Sequence, residues 1–126
     1  MGEPRILKTK WFQRFARKEG IEDAVLADAV ARAEKGQIDA TLGGAVIKQR
    51  IARPGQGRSG GYRAIIVFRQ GDRAVFMYGF SKSARANIGA DEEKEFKEAA
   101  KHVLSLTEDY LAELVRQGDF VEVKSR

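Results

Sequence analysis

Lys48 and Arg50 are two residues apart in an alternating stretch, and Arg63 lies just beyond a glycine-rich run that reads RPGQGRSGGYR over residues 53–63. Residues i and i+2 of a strand share a face, so a strand here presents Lys48 and Arg50 together. Guanidinium forks match phosphate oxygens, an ammonium group adds a point charge, and successive glycine amides can reach the same oxygens closely. The chemistry open to these residues is to bind a phosphate and, where that phosphate reacts, to stabilise the charge it develops. Arg53 and Arg58 within the run, and Lys82 and Arg85 after it, extend the set of candidate ligands for a polyanion.

The same run contains Gly55-x-Gly57-x-x-Gly60, the spacing that cradles a pyrophosphate in dinucleotide-binding proteins. That chemistry needs the glycines to open a helix, whose N-terminus takes the anion. Here they precede Tyr62-Arg-Ala-Ile-Ile-Val-Phe68, a strand sequence. A phosphate-binding loop of the NTPase kind would place Lys-Ser or Lys-Thr after the last glycine, and Gly61-Tyr62 stands there instead. A kinase is excluded by size and by the lack of His-Arg-Asp and Asp-Phe-Gly. The glycines are expected to form a loop that carries arginines, with no nucleotide cofactor.

Charge distribution points to a polyanion. From Lys48 to Arg85 there are nine basic residues and one acid, Asp72, giving that stretch +8 of a chain whose total is +5. The remainder is therefore acidic, and confinement of positive charge to one segment is the footprint of a polyanionic partner. The 126 residues suit one domain, residues 1–126, with a single modest core. The absence of cysteine removes disulfide and thiolate chemistry, and one histidine with scattered carboxylates supplies no transition-metal set. No apolar run approaches the roughly 20 residues of a membrane helix, and MGEPRILKTKWF has no signal-like apolar core. A cytoplasmic protein without a membrane partner, metal or cofactor is expected.

The positioning elements follow from periodicity. Arg5 to Lys10 reads as a strand with Ile6 and Leu7 on opposite faces, followed by a short helix carrying Trp11, Phe12, Phe15 and Ala16 that Gly20 stops. A second helix spans Glu22 to Lys35, with Val25, Leu26, Ala29, Val30 and Ala33 as its stripe. Leu42-Gly43-Gly44 reads as a turn, Ala45 to Ala52 as a strand, Tyr62 to Arg69 and Ala74 to Phe80 as two more, separated by a turn at Gln70-Gly71-Asp72. Asp91 is the expected N-cap of a final long helix whose stripe runs Phe96, Ala100, Val103, Leu104, Thr107, Leu111 and Leu114, ended by Gly118. Phe120 to Val123 can add an edge strand. Helices before and after a mostly antiparallel sheet make an α+β domain.

The stretch from Lys48 through the glycine run to Gly-Tyr-Arg63 and Val-Phe68, together with Ala74-Val-Phe-Met-Tyr-Gly-Phe-Ser-Lys-Ser-Ala-Arg-Ala-Asn-Ile88, resembles the RelE/ParE toxin superfamily, and most of all its HigB-type branch. The likeness covers roughly residues 5–105. It implies N-terminal helices packed on a twisted, mainly antiparallel sheet, to which the periodicity adds the long C-terminal helix. It also implies a ribosome-dependent endoribonuclease that cuts mRNA, inhibits translation and is silenced by a cognate antitoxin, a helix-turn-helix protein. By position, Lys48 and Arg50 match the basic pair before the loop, Arg63 the arginine set against the scissile phosphate, and Lys82 and Arg85 the basic cluster past the last long strand. The chain departs from the pattern at Ser83 to Ala90, which holds neither the Tyr nor the His that other members use for proton transfer.

RNA carries its own nucleophile, the 2′-hydroxyl, so the protein need only align it and stabilise the phosphorane. Lys48, Arg50 and Arg63 are the candidate catalytic residues. His102 shares a helix face with Glu95, Glu98 and Asp109 and reads as solvated. Phe68 and Phe76 read as core, and Tyr62 and Tyr78 as either core or base-stacking residues. Two other readings remain open at this level: a ParE-like gyrase inhibitor on the same fold, and a non-catalytic nucleic-acid binder.

Overall fold

The computed structural model describes residues 4–53 and 57–124, with the side chains of 57–60 outside the description. Four helices accompany a six-stranded mixed sheet, an α+β arrangement. Strand β1 (Arg5–Thr9) leads directly into α1 (Lys10–Glu19), because the Thr9 hydroxyl accepts from the Phe12 amide and caps the helix. Gly20 ends α1 in the left-handed region. Helix α2 (Asp23–Glu34) buries Leu26, Ala29, Val30 and Ala33, the stripe its 3.6-residue period predicts.

Strands β2 (Ala40–Gly43), β3 (Val46–Arg53), β4 (Gly57–Arg69) and β5 (Arg73–Ser81) form an antiparallel meander. The strand order across the sheet is β2-β3-β4-β5-β1-β6, with β1 parallel to β5 and the short β6 (Phe120–Glu122) antiparallel on the edge of β1. The sheet has a core on each face. One holds Phe12, Leu26, Ile47, Ile51, Ile66 and Phe76 with α1 and α2. The other holds Leu7, Val46, Ile65, Val67, Phe80 and Leu111 beside α3 (Ala90–Ser105) and α4 (Glu108–Arg116).

Four details differ from the sequence expectation. Residues read as a turn at Leu42-Gly43 belong to β2, and the turn itself is Gly44-Ala45, both with positive φ. The glycine run is largely strand: β4 begins at Gly57, and residues 54–56 lie outside the described residues. Gly61 has a packing reason, since a Cβ there would fall on the Ile51 carbonyl where β3 and β4 shift register. The expected long C-terminal helix is two helices. Leu106 is extended, and the exposed Thr107, expected in the buried stripe, instead caps α4 by accepting from the Tyr110 amide. Two arginines from the β4–β5 turn take the ending carbonyls of α3, Arg73 at Val103 (2.9 Å) and Arg69 at Leu104 (3.3 Å). At the other end of α3 the N-cap is Gly89, not Asp91, with the Glu92 carboxylate accepting the Gly89 amide.

Candidate phosphate-binding site

The register of β3 and β4 builds the site. Arg50 lies opposite Arg63, and Lys48 opposite Ile65, so all three cations stand on the sheet face that also carries α3. Adjacent strands are about 4.8 Å apart, so guanidinium groups on opposed residues can grip one phosphate group from two sides. The Lys48 ammonium donates to Asn87 Oδ1 (3.0 Å), and Arg63 to the Tyr62 carbonyl (3.4 Å). Among the described residues neither cation is thus matched by a carboxylate.

Arg50 is held differently. Its amide donates to Asp39 Oδ2 (2.7 Å), and its guanidinium lies 3.9 Å from the same carboxylate, which Arg32 shares at 3.7 Å. Asp39 is itself fixed by Gln49, which is fully buried: Gln49 Oε1 accepts the Asp39 amide (2.7 Å), and its amide nitrogen donates to the Ala29 and Gln37 carbonyls (3.0 and 3.3 Å). A buried amide with every strong bond made is a rigid support, so the approach of α2 to β3 sets where Arg50 can reach.

Arg85 closes the far side. It makes two bonds to Glu92 (2.6 and 3.1 Å) and one each to the Tyr78 hydroxyl (3.1 Å) and the Asn87 carbonyl (3.0 Å). Its guanidinium lies over the Phe80 ring at 5.7 Å. The bonds from Glu92, then from Tyr78, hold the guanidinium above its usual range, and Arg85 in turn holds the Glu92 carboxyl below its own. Phe80 is the register partner of Arg63, which places Arg85 next to the β3–β4 cluster. Lys82, exposed one residue past β5, has its amide on the Gly61 carbonyl (3.5 Å) and so stays near the same end of the sheet.

Lys48, Arg50, Arg63 and Arg85 are therefore brought together, with Lys82 at the margin. Arg53 is not: its guanidinium lies over Tyr62 (5.6 Å), whose ring belongs to the α1–α2 core on the opposite face. The Arg58 side chain lies outside the described residues. Sequence reading missed Asn87, Asp39 and Glu92 as site-builders. Glu92 carried only a helix-start signal, and Asp39 precedes a strand whose sequence reads as a turn. Asn87 sat in the resembling stretch, where an acceptor two residues after Arg85 was the available clue.

The aromatic candidates divide as well. Tyr62 is buried, its hydroxyl donating to Glu19 Oε1 (2.8 Å), and burial followed by that bond raises its pKa. Tyr78 is half-buried between Trp11 and Phe96. His102 is exposed on α3, away from the cluster.

No helix among the described residues is long and apolar enough to cross a membrane. No curated protein matches the chain. The family model for the RelE toxin of the RelE/RelB toxin-antitoxin system matches residues 4–123, and so spans the sheet, both helical layers and the cationic cluster. A match of that extent makes the chain a member of the RelE toxin family, a toxin whose family implies an antitoxin partner.

Proposed function

We propose that this toxin is a HigB-type, ribosome-dependent mRNA endoribonuclease that inhibits translation. Lys48, Arg50 and Arg63 are its catalytic phosphate ligands, and Arg85 and Lys82 its flanking backbone ligands. The observation that carries this reading is the opposition of Arg50 and Arg63 across β3 and β4, with Lys48 on the same face. Membership of a family whose toxins are in general endoribonucleases supports it.

In this scheme the RNA 2′-hydroxyl gives up its proton to solvent and attacks the adjacent phosphorus, and the 5′ oxygen of the next nucleotide leaves and takes a proton from solvent, giving a 2′,3′-cyclic phosphate and a 5′-hydroxyl by a route that asks for no cofactor. Negative charge builds on the non-bridging oxygens, where preorganised cations act with most effect. The cluster contacts phosphates and so carries little base discrimination. Alignment of the 2′-hydroxyl then falls to the ribosome, and free RNA is a poor substrate. A cognate antitoxin silences the toxin by covering the face around Lys48, Arg63 and Lys82, where charge complementarity favours an acidic segment.

Mapping mRNA 5′ ends by primer extension after induction tests the reading. New ends inside translated codons are expected. Intact mRNA with relaxed or broken DNA would replace it by a ParE-like gyrase inhibitor, and neither change by a non-catalytic nucleic-acid binder.

A further inference from the structure

Strand β5 pairs with β1 only from Arg73 to Phe76, because β1 gives way to α1 at Lys10. The remaining edge of β5, Met77 to Ser81, has no strand beside it among the described residues. Between that edge and α1 lies a cleft of about 420 Å³ lined by residues that include Trp11, Arg14, Phe15, Lys18, Tyr78 and Arg85. That volume lies within the roughly 300–1,000 Å³ typical of small-ligand sites.

Trp11 is stacked on Phe15 (centroids 5.4 Å apart, 14° between planes) and packed against Tyr78 (4.6 Å), yet it remains 40% exposed. Phe15 is in turn seated on Gly79, where a Cβ would come within 2.6 Å of its ring. A tryptophan fixed against two rings and still partly exposed presents a rigid aromatic surface to another flat group. The rim is cationic. Arg14 and Lys18 are exposed, and the ion pair that α1 makes among the described residues belongs to Lys10, with Asp119. The acid of the lining, Glu19, is engaged by the Tyr62 hydroxyl. Arg85 belongs both to this cleft and to the cationic cluster, and Phe80 beneath it is opposed to Arg63. One strand spacing, about 5 Å, thus separates the cleft wall from the phosphate site.

We propose that this cleft is a base-stacking subsite for single-stranded RNA, in which a base next to the phosphate held by Lys48, Arg50 and Arg63 stacks on Trp11. Arg14 and Lys18 hold the neighbouring backbone phosphates. Every base offers a π-face, so the subsite fixes the path of the strand without selecting sequence. It rests on the nuclease reading only for the identity of the strand.

Trp11 is the sole tryptophan, so its fluorescence reports the subsite directly. The toxin is titrated with end-labelled hexauridylate and with an abasic ribose-phosphate hexamer of the same charge, following tryptophan emission and label anisotropy. Hexauridylate should quench Trp11 saturably and the abasic strand should not. Trp11→Leu should weaken hexauridylate binding roughly tenfold while leaving the abasic strand unaffected. Should Trp11→Leu fail to fold, Arg14→Ala/Lys18→Ala serves, weakening both strands while the quench at saturation persists. Hexauridylate that fails to bind, binds without quenching, or quenches no more than the abasic strand overturns the proposal. So does quenching by the antitoxin alone, which would make the cleft a protein-docking edge. Codon-internal mRNA ends with a silent Trp11 would remove the subsite and leave the nuclease; base-dependent quenching without such ends would do the reverse.

Discussion

The two ends of the sheet are both rich in arginine and use it in opposite ways. At the β4–β5 turn, Arg69 is paired with Asp72, and Arg73 is 3% exposed, donating to the Val103 carbonyl and Glu108 Oε2 (2.8 Å). Arg5, the register partner of Arg73, takes the other oxygen of Glu108 (3.1 Å) and reaches Glu122 as well (2.8 Å). These cations are spent on carboxylates and helix carbonyls, and they join α3 and α4 to the sheet. At the far end, six residues along β4 and so about 20 Å away, Lys48 and Arg63 find only neutral acceptors among the described residues. Paired charge at the first end ties the helices to the sheet, whereas at the far end Arg50 and Arg85 sit in partly exposed pairs with Asp39 and Glu92 beside the unmatched Lys48 and Arg63. The basic segment from Lys48 to Arg85 contains both kinds, so its +8 overstates what a polyanion meets.

The largest expected effect is at the unmatched end. Arg63→Ala should lower mRNA cleavage on the order of 10²–10³-fold, about 3–4 kcal/mol of transition-state stabilisation, and abolish growth inhibition with folding retained. Lys48→Ala and Arg50→Ala should each weaken cleavage, and the double variant should match Arg63→Ala. A fully toxic Arg63→Ala would erase the distinction between the two ends.

Arg73→Met should show the opposite pattern. Losing its bonds to Glu108 and the end of α3 should cost about 2–3 kcal/mol in urea denaturation, while the folded fraction still cleaves mRNA. Gln49→Leu should cost about 1–3 kcal/mol by leaving the Ala29 and Gln37 carbonyls and the Asp39 amide without partners. Because Asp39 then loosens around Arg50, cleavage should fall along with stability, a coupling Arg73→Met lacks.

A smaller, pH-dependent effect tests a neutralised pair away from both ends. Burial raises the pKa of Asp23, but the Lys124 amide (2.9 Å) and the Lys8 ammonium (2.7 Å) outweigh it and hold the carboxyl below its ordinary 3.8. A depressed carboxylate adds stability that is present above its unfolded value and lost as pH falls through the folded one. Asp23→Asn should therefore be less stable than the parent at neutral pH, with the gap closing below pH 3.8 in urea titrations. Least of all, His102→Ala should change neither cleavage nor stability beyond about 0.5 kcal/mol, as an exposed substitution.

Local signals carried far along this chain. The alternation of residues 45–52 put Lys48 and Arg50 on one face, Gly20 and Gly118 stopped their helices, and the α2 stripe is the one that is buried, because each depends on backbone geometry within a few residues. What depends on register across strands was not legible. Phe76, Tyr78 and Phe80 alternate in the sequence as one face, yet a bulge at Met77 puts Phe76 in the α1–α2 core and Tyr78 and Phe80 beside Arg63. The helix break at Leu106 was hidden too. A continuous stripe runs through it, and the arginines that take the carbonyls of α3 come from a turn some thirty residues earlier. Sequence thus determined which cations exist and which of their neighbours share a strand face. Only tertiary pairing decided which of them would meet a carboxylate, as Arg50 does at Asp39 and Arg85 at Glu92, and which, like Lys48 and Arg63 among the described residues, would reach the site beside neutral acceptors.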